Sequence, residues 1–205
     1  MRLADRLRRI PVWAVWLLGS APLALLVLDT FTGRLGVDPV RDIEHRLGRT
    51  ALYLLIGTLA ATPLLRLARI SVIRQRRALG LVCFSYAALH VLAWVVIDMG
   101  LRWDVLLRDL VKRPYLFLGM TAFVILAALA ATSNDWSVRR LGQGWRRLHR
   151  LAYAAAILVA LHWIWSLKLW ERKPLLILAL ILVILALRLP FMRRRIPGSD
   201  RLDAK

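Results

Sequence analysis

Cysteine is nearly absent from this 205-residue chain: Cys83 is the only one. One thiol excludes an intramolecular disulfide, an iron–sulfur cluster and a thiolate zinc site built within a single chain. Histidine is scarce too, with four in all: His45, His90, His149 and His162. Acidic residues are outnumbered, 12 Asp and Glu against 31 Lys and Arg, which gives a net charge of +19. No G-x-G-x-x-G, P-loop or H-E-x-x-H sequence occurs, so pyridine-nucleotide chemistry has no local signature in this chain.

What the chain has in abundance is hydrocarbon. Hydrophobic residues make up 60% of it and the mean hydropathy is +0.60. Apolar stretches recur at about the 20 residues needed to cross a bilayer. Six are predicted, at 11–28, 46–65, 78–97, 115–132, 151–167 and 174–190. Runs this long and this apolar span lipid as helices. The fold class expected is an all-α integral membrane protein, a six-helix transmembrane bundle. It forms a single domain over 1–205, because the connections at 98–114 and 133–150 are too short for a soluble one. The start, MRLADRLRRI, resembles a signal peptide. The apolar run that follows is longer than an h-region of about 7–15 residues and no small-x-small cleavage site ends it, so it is read as the first span.

A charge of +19 on a soluble protein would point to nucleic acid, but the distribution here argues for topology instead. Arginines concentrate in residues 1–9, in 66–77, in 133–150 and after 187. The alternate connections are balanced or acidic: 29–44 sets Asp29, Asp38, Asp42 and Glu44 against Arg34 and Arg41. This alternation follows the positive-inside rule and predicts both termini in the cytoplasm. Lipid is then the first partner of the basic charge, and no nucleic-acid role is expected. Trp13, Trp16, Trp136 and Trp145 on the inner side, and Trp94, Trp103 and Trp170 on the outer, read as an aromatic belt.

Within this frame the histidines carry the chemistry. An imidazole inside a membrane is costly unless it is bound to something, and neutral imidazole is a ligand for haem iron. His90 lies about eight residues before the outer end of the third span and His162 about six before that of the fifth. At about 1.5 Å per residue the two sit within a few Å of one depth. Facing one another, they predict a bis-histidine haem. With no C-x-x-C-H sequence, that haem is non-covalent and of the b type. His149 falls 13 residues before His162, at the inner end of the same span. In an ideal helix that spacing turns the two side chains about 220° apart. An inner cofactor held by His149 therefore requires a kink, a π-bulge or a position just outside the helix. Arg76 and Arg77, at the matching level of span three, have no lone pair to offer iron. They suit a propionate, a flavin phosphate or lipid. His45, in DIEHRLGRTAL, is interfacial and near enough to the outer site to bond a propionate or a quinone. Phe84, Tyr86, Trp94, Trp163 and Trp165 are the candidate aromatic neighbours that keep water from the iron.

The segments GVDPVRDIEHRLGRTAL, TPLLRL, RRALGLVCFSYAALH, RPYLFLGMTAF, LGQGWRRLHRLAY and LHWIWSLK together resemble the MsrQ family of haem-binding membrane subunits, a branch of the ferric-reductase-like transmembrane proteins. The resemblance runs from the first connection through the fifth span. It implies a multi-pass protein of the bacterial inner membrane and an electron-transfer role in methionine-sulfoxide repair. Electrons would come from the quinone pool of the respiratory chain or from a cytosolic flavin reductase. They would pass to a periplasmic molybdopterin partner, MsrP, in a heterodimer. The resemblance also implies haem b, FMN as a second cofactor, and His90, His149 and His162 as the haem ligands. Oxidase-type relatives carry a second histidine on span three near the position of Arg76 or Arg77, which this chain lacks. Two other classes compete: a stand-alone transmembrane ferric or oxygen reductase, and a small proton-coupled transporter. The transporter would need intramembrane acids beside the histidines, and the spans provide none.

Overall fold

The computed structural model describes residues 10–167 and 171–188, and among these all regular structure is helical, with no strand. The helices are α1 (Val12–Phe31), α2 (Pro39–Ala68), α3 (Arg76–Ala93), α4 (Trp103–Lys112), α5 (Pro114–Ala131), α6 (Asp135–Leu141), α7 (Gln143–His149), α8 (Leu151–Ser166) and α9 (Arg172–Ala186). A π-helical turn, Trp94–Asp98, prolongs α3.

Five stretches are long and apolar enough to cross a membrane: α1, α2, α3 with its π turn, α5, and the 143–166 stretch formed by α7 and α8. They correspond to the first five predicted spans. The predicted sixth, 174–190, coincides with α9 only as far as Ala186, and its last two residues lie outside the described residues, as does Trp170. The 15 residues of α9 rise about 22 Å, short of a hydrocarbon core of about 30 Å.

Local chemistry sets the ends of these elements. The Asp38 carboxylate accepts from the Arg41 N–H at 3.1 Å, and Pro39 opens α2 where its missing N–H costs nothing. Asn134 caps α6 in the same manner, accepting from the Ser137 N–H at 2.7 Å. Near the start of α2, Arg46 bridges Asp29 of α1 at 2.6 Å and Asp42 at 2.9 Å. At the other end Pro63 interrupts the ladder of α2. It has no N–H for the Leu59 carbonyl, and Arg188 after α9 supplies the donor from Nε at 3.1 Å. The same guanidinium donates to the Tyr153 hydroxyl at 2.9 Å, tying α9 to α2 and α8.

The most extensive helix contacts are α2 with α3 and α5 with α8. Leu52, Leu55, Leu59 and Cys83 fill the first pair, while α8 buries Ala155, Ala156 and Ala160, small residues that allow close approach. Outside this core the surface is apolar: Leu17, Leu18 and Leu176 are 63%, 68% and 69% exposed. So large an apolar girdle has hydrocarbon as its solvent. The short α4 was not anticipated. It buries Leu106 against the bundle and exposes Trp103, Leu107 and Val111 along one stripe.

Candidate functional site

His90 projects from α3 one turn before the π segment. Its Nδ1 lies 2.9 Å from the backbone carbonyl of Glu44 in α2. A carbonyl only accepts, so Nδ1 carries the proton and Nε2 keeps the lone pair. His162 of α8 repeats the arrangement, with Nδ1 2.7 Å from the Tyr115 carbonyl of α5. The two ring centroids are 6.4 Å apart and the ring planes cross at 75°. Two metal–imidazole bonds of about 2 Å, with about 1 Å from each nitrogen to its ring centre, span nearly the same length.

The two rings line a cavity of about 570 Å³, within the size range of cofactor sites. Its inner wall is apolar, with Leu52, Leu55, Phe123, Leu126 and Val159. Its mouth is charged, with Arg41, Arg49, Arg113 and Lys173 set among Asp38, Asp98 and Glu171. The Glu44 carboxylate also faces this space, with one oxygen buried and without a hydrogen-bond partner among the described residues. Arg113 is held above the usual arginine range, chiefly by its hydrogen bond to the Tyr115 hydroxyl and then by Asp109 and Asp98, so it is cationic throughout.

Of the aromatic residues singled out in the sequence, Trp94 and Trp163 line the cavity, and Phe84 stacks at 5.8 Å on Phe123, which does so. Tyr86 and Trp165 do not line it. The Tyr86 hydroxyl is inserted into α1, donating to the Gly19 carbonyl at 2.6 Å and accepting from the Leu23 N–H at 2.9 Å. Trp165 is 60% exposed. His45 reaches the cavity mouth.

His149 is not brought to this cavity. It ends α7, and α8 starts two residues later. Arg150 between them keeps a right-handed helical backbone (φ −71°, ψ −22°), and its N–H bonds the Arg147 carbonyl at 3.2 Å, so the helix tightens here by one i→i−3 turn and runs on. Its Nε2 is 3.1 Å from the Thr132 hydroxyl. Its ring stacks on Trp145 at 3.9 Å, and Trp145 Nε1 donates to the Thr132 carbonyl at 2.9 Å. Arg77, in the first turn of α3, pairs with Asp135 at 2.6 Å.

Sequence reasoning missed the Glu44 and Tyr115 carbonyls, because a backbone acceptor leaves no mark in residue type. It also missed the basic mouth, whose four cations come from three separate parts of the chain.

The family described as ferric reductase like transmembrane component matches residues 47–161. This chain belongs to the ferric-reductase-like transmembrane family. The matched stretch takes in His90, Tyr115 and His149 and stops beside His162. The chain is 42% identical over 191 residues to a Brucella ovis protein named protein-methionine-sulfoxide reductase heme-binding subunit MsrQ, covering 91% of this chain and 87% of that protein. Proteins of the same name from Brucella canis and Brucella suis match to the same extent. Membership of the ferric-reductase-like transmembrane family and the five apolar helices together make this a multi-pass membrane protein.

Proposed function

We propose that this chain is a b-type haem electron-transfer subunit of a bacterial inner membrane, with His90 and His162 as the axial ligands of one haem. The observation that carries the reading is the facing pair of imidazoles, each with its Nδ1 turned to a carbonyl and its Nε2 left to bind. Haem fits the donor set. No group of three or more His, Cys, Asp or Glu able to hold a metal occurs among the described residues, so two imidazoles need a macrocycle to complete the coordination. The apolar wall suits a porphyrin, and Arg41, Arg49, Arg113 and Lys173 suit its carboxylates.

When bound, haem supplies a one-electron carrier. The chain's own residues decide what that carrier does. Two histidine ligands leave no open position on iron, which favours electron transfer over oxygen binding. The Nδ1–carbonyl bonds fix each ring and raise its basicity. Trp94, Trp163 and Phe123 limit the access of water.

The resemblance to MsrQ and the name borne by the Brucella relatives support the wider role. In it, electrons arrive from the quinone pool or a cytosolic flavin reductase and leave to a periplasmic MsrP-like molybdopterin partner in a heterodimer. There methionine sulfoxide takes up two electrons and two protons and becomes methionine and water. The sulfoxide chemistry is the partner's. His149 would serve an inner cofactor or an entry point, and FMN is proposed on the resemblance alone. In this reading α9 is the sixth span and both termini are cytoplasmic, in keeping with the arginine alternation.

Absorption spectra and pyridine-haemochrome quantitation of the purified protein test the assignment. Wild type should carry low-spin b-type haem, and His90→Ala or His162→Ala should abolish it. Normal haem content in both variants would overturn the ligand pair.

A further inference from the structure

We infer that Gly48 and Gly119 are positioning residues that fix the orientation of the two ligand imidazoles, and that the site is one helix-pair cradle used twice. The inference rests on the haem reading above.

Each cradle has the same three parts. The first helix of a pair offers a carbonyl at position i and a glycine at i+4, and the second helix carries the histidine. In α2 and α3 these are Glu44, Gly48 and His90. In α5 and α8 they are Tyr115, Gly119 and His162. The carbonyl and its histidine are 46 residues apart in the first cradle and 47 in the second. The two cradles also coincide with the two most extensive helix contacts of the fold.

The glycine follows from geometry. In a helix the carbonyl of residue i already accepts the N–H of residue i+4. An imidazole that bonds the same oxygen uses its second lone pair and must lie over residue i+4 to reach it. A Cβ on Gly119 would stand 2.7 Å from Nδ1 of His162 and 2.9 Å from its Cε1. A Cβ on Gly48 would stand 3.3 Å from both Nδ1 and Cε1 of His90. Unstrained contacts of this kind fall at about 3.5–4.0 Å. Helix backbone lies on one side of each ring, so the ring has to yield. Residue 119 therefore tolerates only glycine without displacing its ligand, and residue 48 tolerates alanine at the cost of a small rotation.

The cradles also set the angle between the ligands, since each ring is held in plane by a bond to a different helix. Ring planes crossed at 75° would leave the dπ orbitals of a haem iron bound between them close in energy. The ferric protein should then give a highly anisotropic low-spin EPR signal with a large gmax. Turning either ring changes that value without removing a ligand.

Gly119→Ala, Gly48→Ala and, as control, Gly57→Ala are to be compared in the full-length protein in detergent. Gly57 lies in α2, and a Cβ there meets nothing within 4 Å. Alanine favours a helix over glycine, so a loss of function in the first two is not a weakened helix. Gly57→Ala should match wild type in haem retention, gmax and midpoint potential. Gly119→Ala should lower haem affinity about 10–100-fold, as loss of an orienting partner does. Gly48→Ala should keep haem but shift gmax and the midpoint potential. It decides the matter if Gly119→Ala does not fold. Unchanged gmax, potential and retention in Gly48→Ala and in any folded Gly119→Ala would overturn the cradle while leaving the haem reading intact. Haem that survives both His90→Ala and His162→Ala would instead overturn the ligand pair on which the cradle rests.

Discussion

A backbone carbonyl has two lone pairs, and in a helix the ladder occupies only one. In this fold side chains repeatedly take the other. His90 and His162 bond the Glu44 and Tyr115 carbonyls and Cys83 bonds that of Ala51 at 3.2 Å, while the Tyr86 hydroxyl is inserted between the Gly19 carbonyl and its ladder donor, the Leu23 N–H. Such bonds join helices in hydrocarbon without leaving a polar side chain unsatisfied. The Leu59 carbonyl is the sharpest case, because Pro63 removes its ladder donor and Arg188 is the replacement. Arg188→Leu should therefore cost about 1–3 kcal/mol, the penalty for a buried acceptor left unpaired. Arg188→Lys should restore part of it. Thermal unfolding of the purified protein in detergent measures both, and an Arg188→Leu variant as stable as wild type would show that Leu59 finds another donor.

At the scale of elements, the apolar runs and the arginine alternation were enough to place α1, α2, α3, α5 and α8, since nothing but a helix of that length suits both patterns. Three features were not legible. The tightened turn at Arg150 has no proline or glycine to announce it, and its backbone stays right-handed helical. Helix α4 has its apolar residues at Trp103, Leu106, Leu107, Leu110 and Val111, a clear helical period, but in a connection short enough to pass for a loop. The π turn after His90 depends on packing and has no residue signature. His149 does not line the cavity of His90 and His162, and its partners are Thr132 and Trp145, so His149→Ala should leave the low-spin signal of the His90–His162 pair unchanged. EPR of the oxidised variant tests this. Loss of that signal would mean that the two ends of the bundle are coupled more tightly than their hydrogen bonds indicate.

For the whole molecule, depth and direction decide which side of the membrane the carrier serves. His90 lies eight residues from the end of the π turn and His162 four from the end of α8, or about 12 and 6 Å along the helix axes. Both are near the end at which the cavity opens. If the arginine-rich ends face the cytoplasm, that mouth faces the periplasm, and a soluble acceptor meets the iron at its nearest edge. The reverse orientation would turn the same site toward cytosolic reductants and leave no outward path. Alkaline phosphatase fused within 99–102 or 32–38 should be active, and fused within 69–75 or 132–134 inactive, with green fluorescent protein fusions giving the opposite pattern. The inverted result would put His90 and His162 on the cytoplasmic side and remove the periplasmic acceptor from the mechanism, whatever the haem content of the protein.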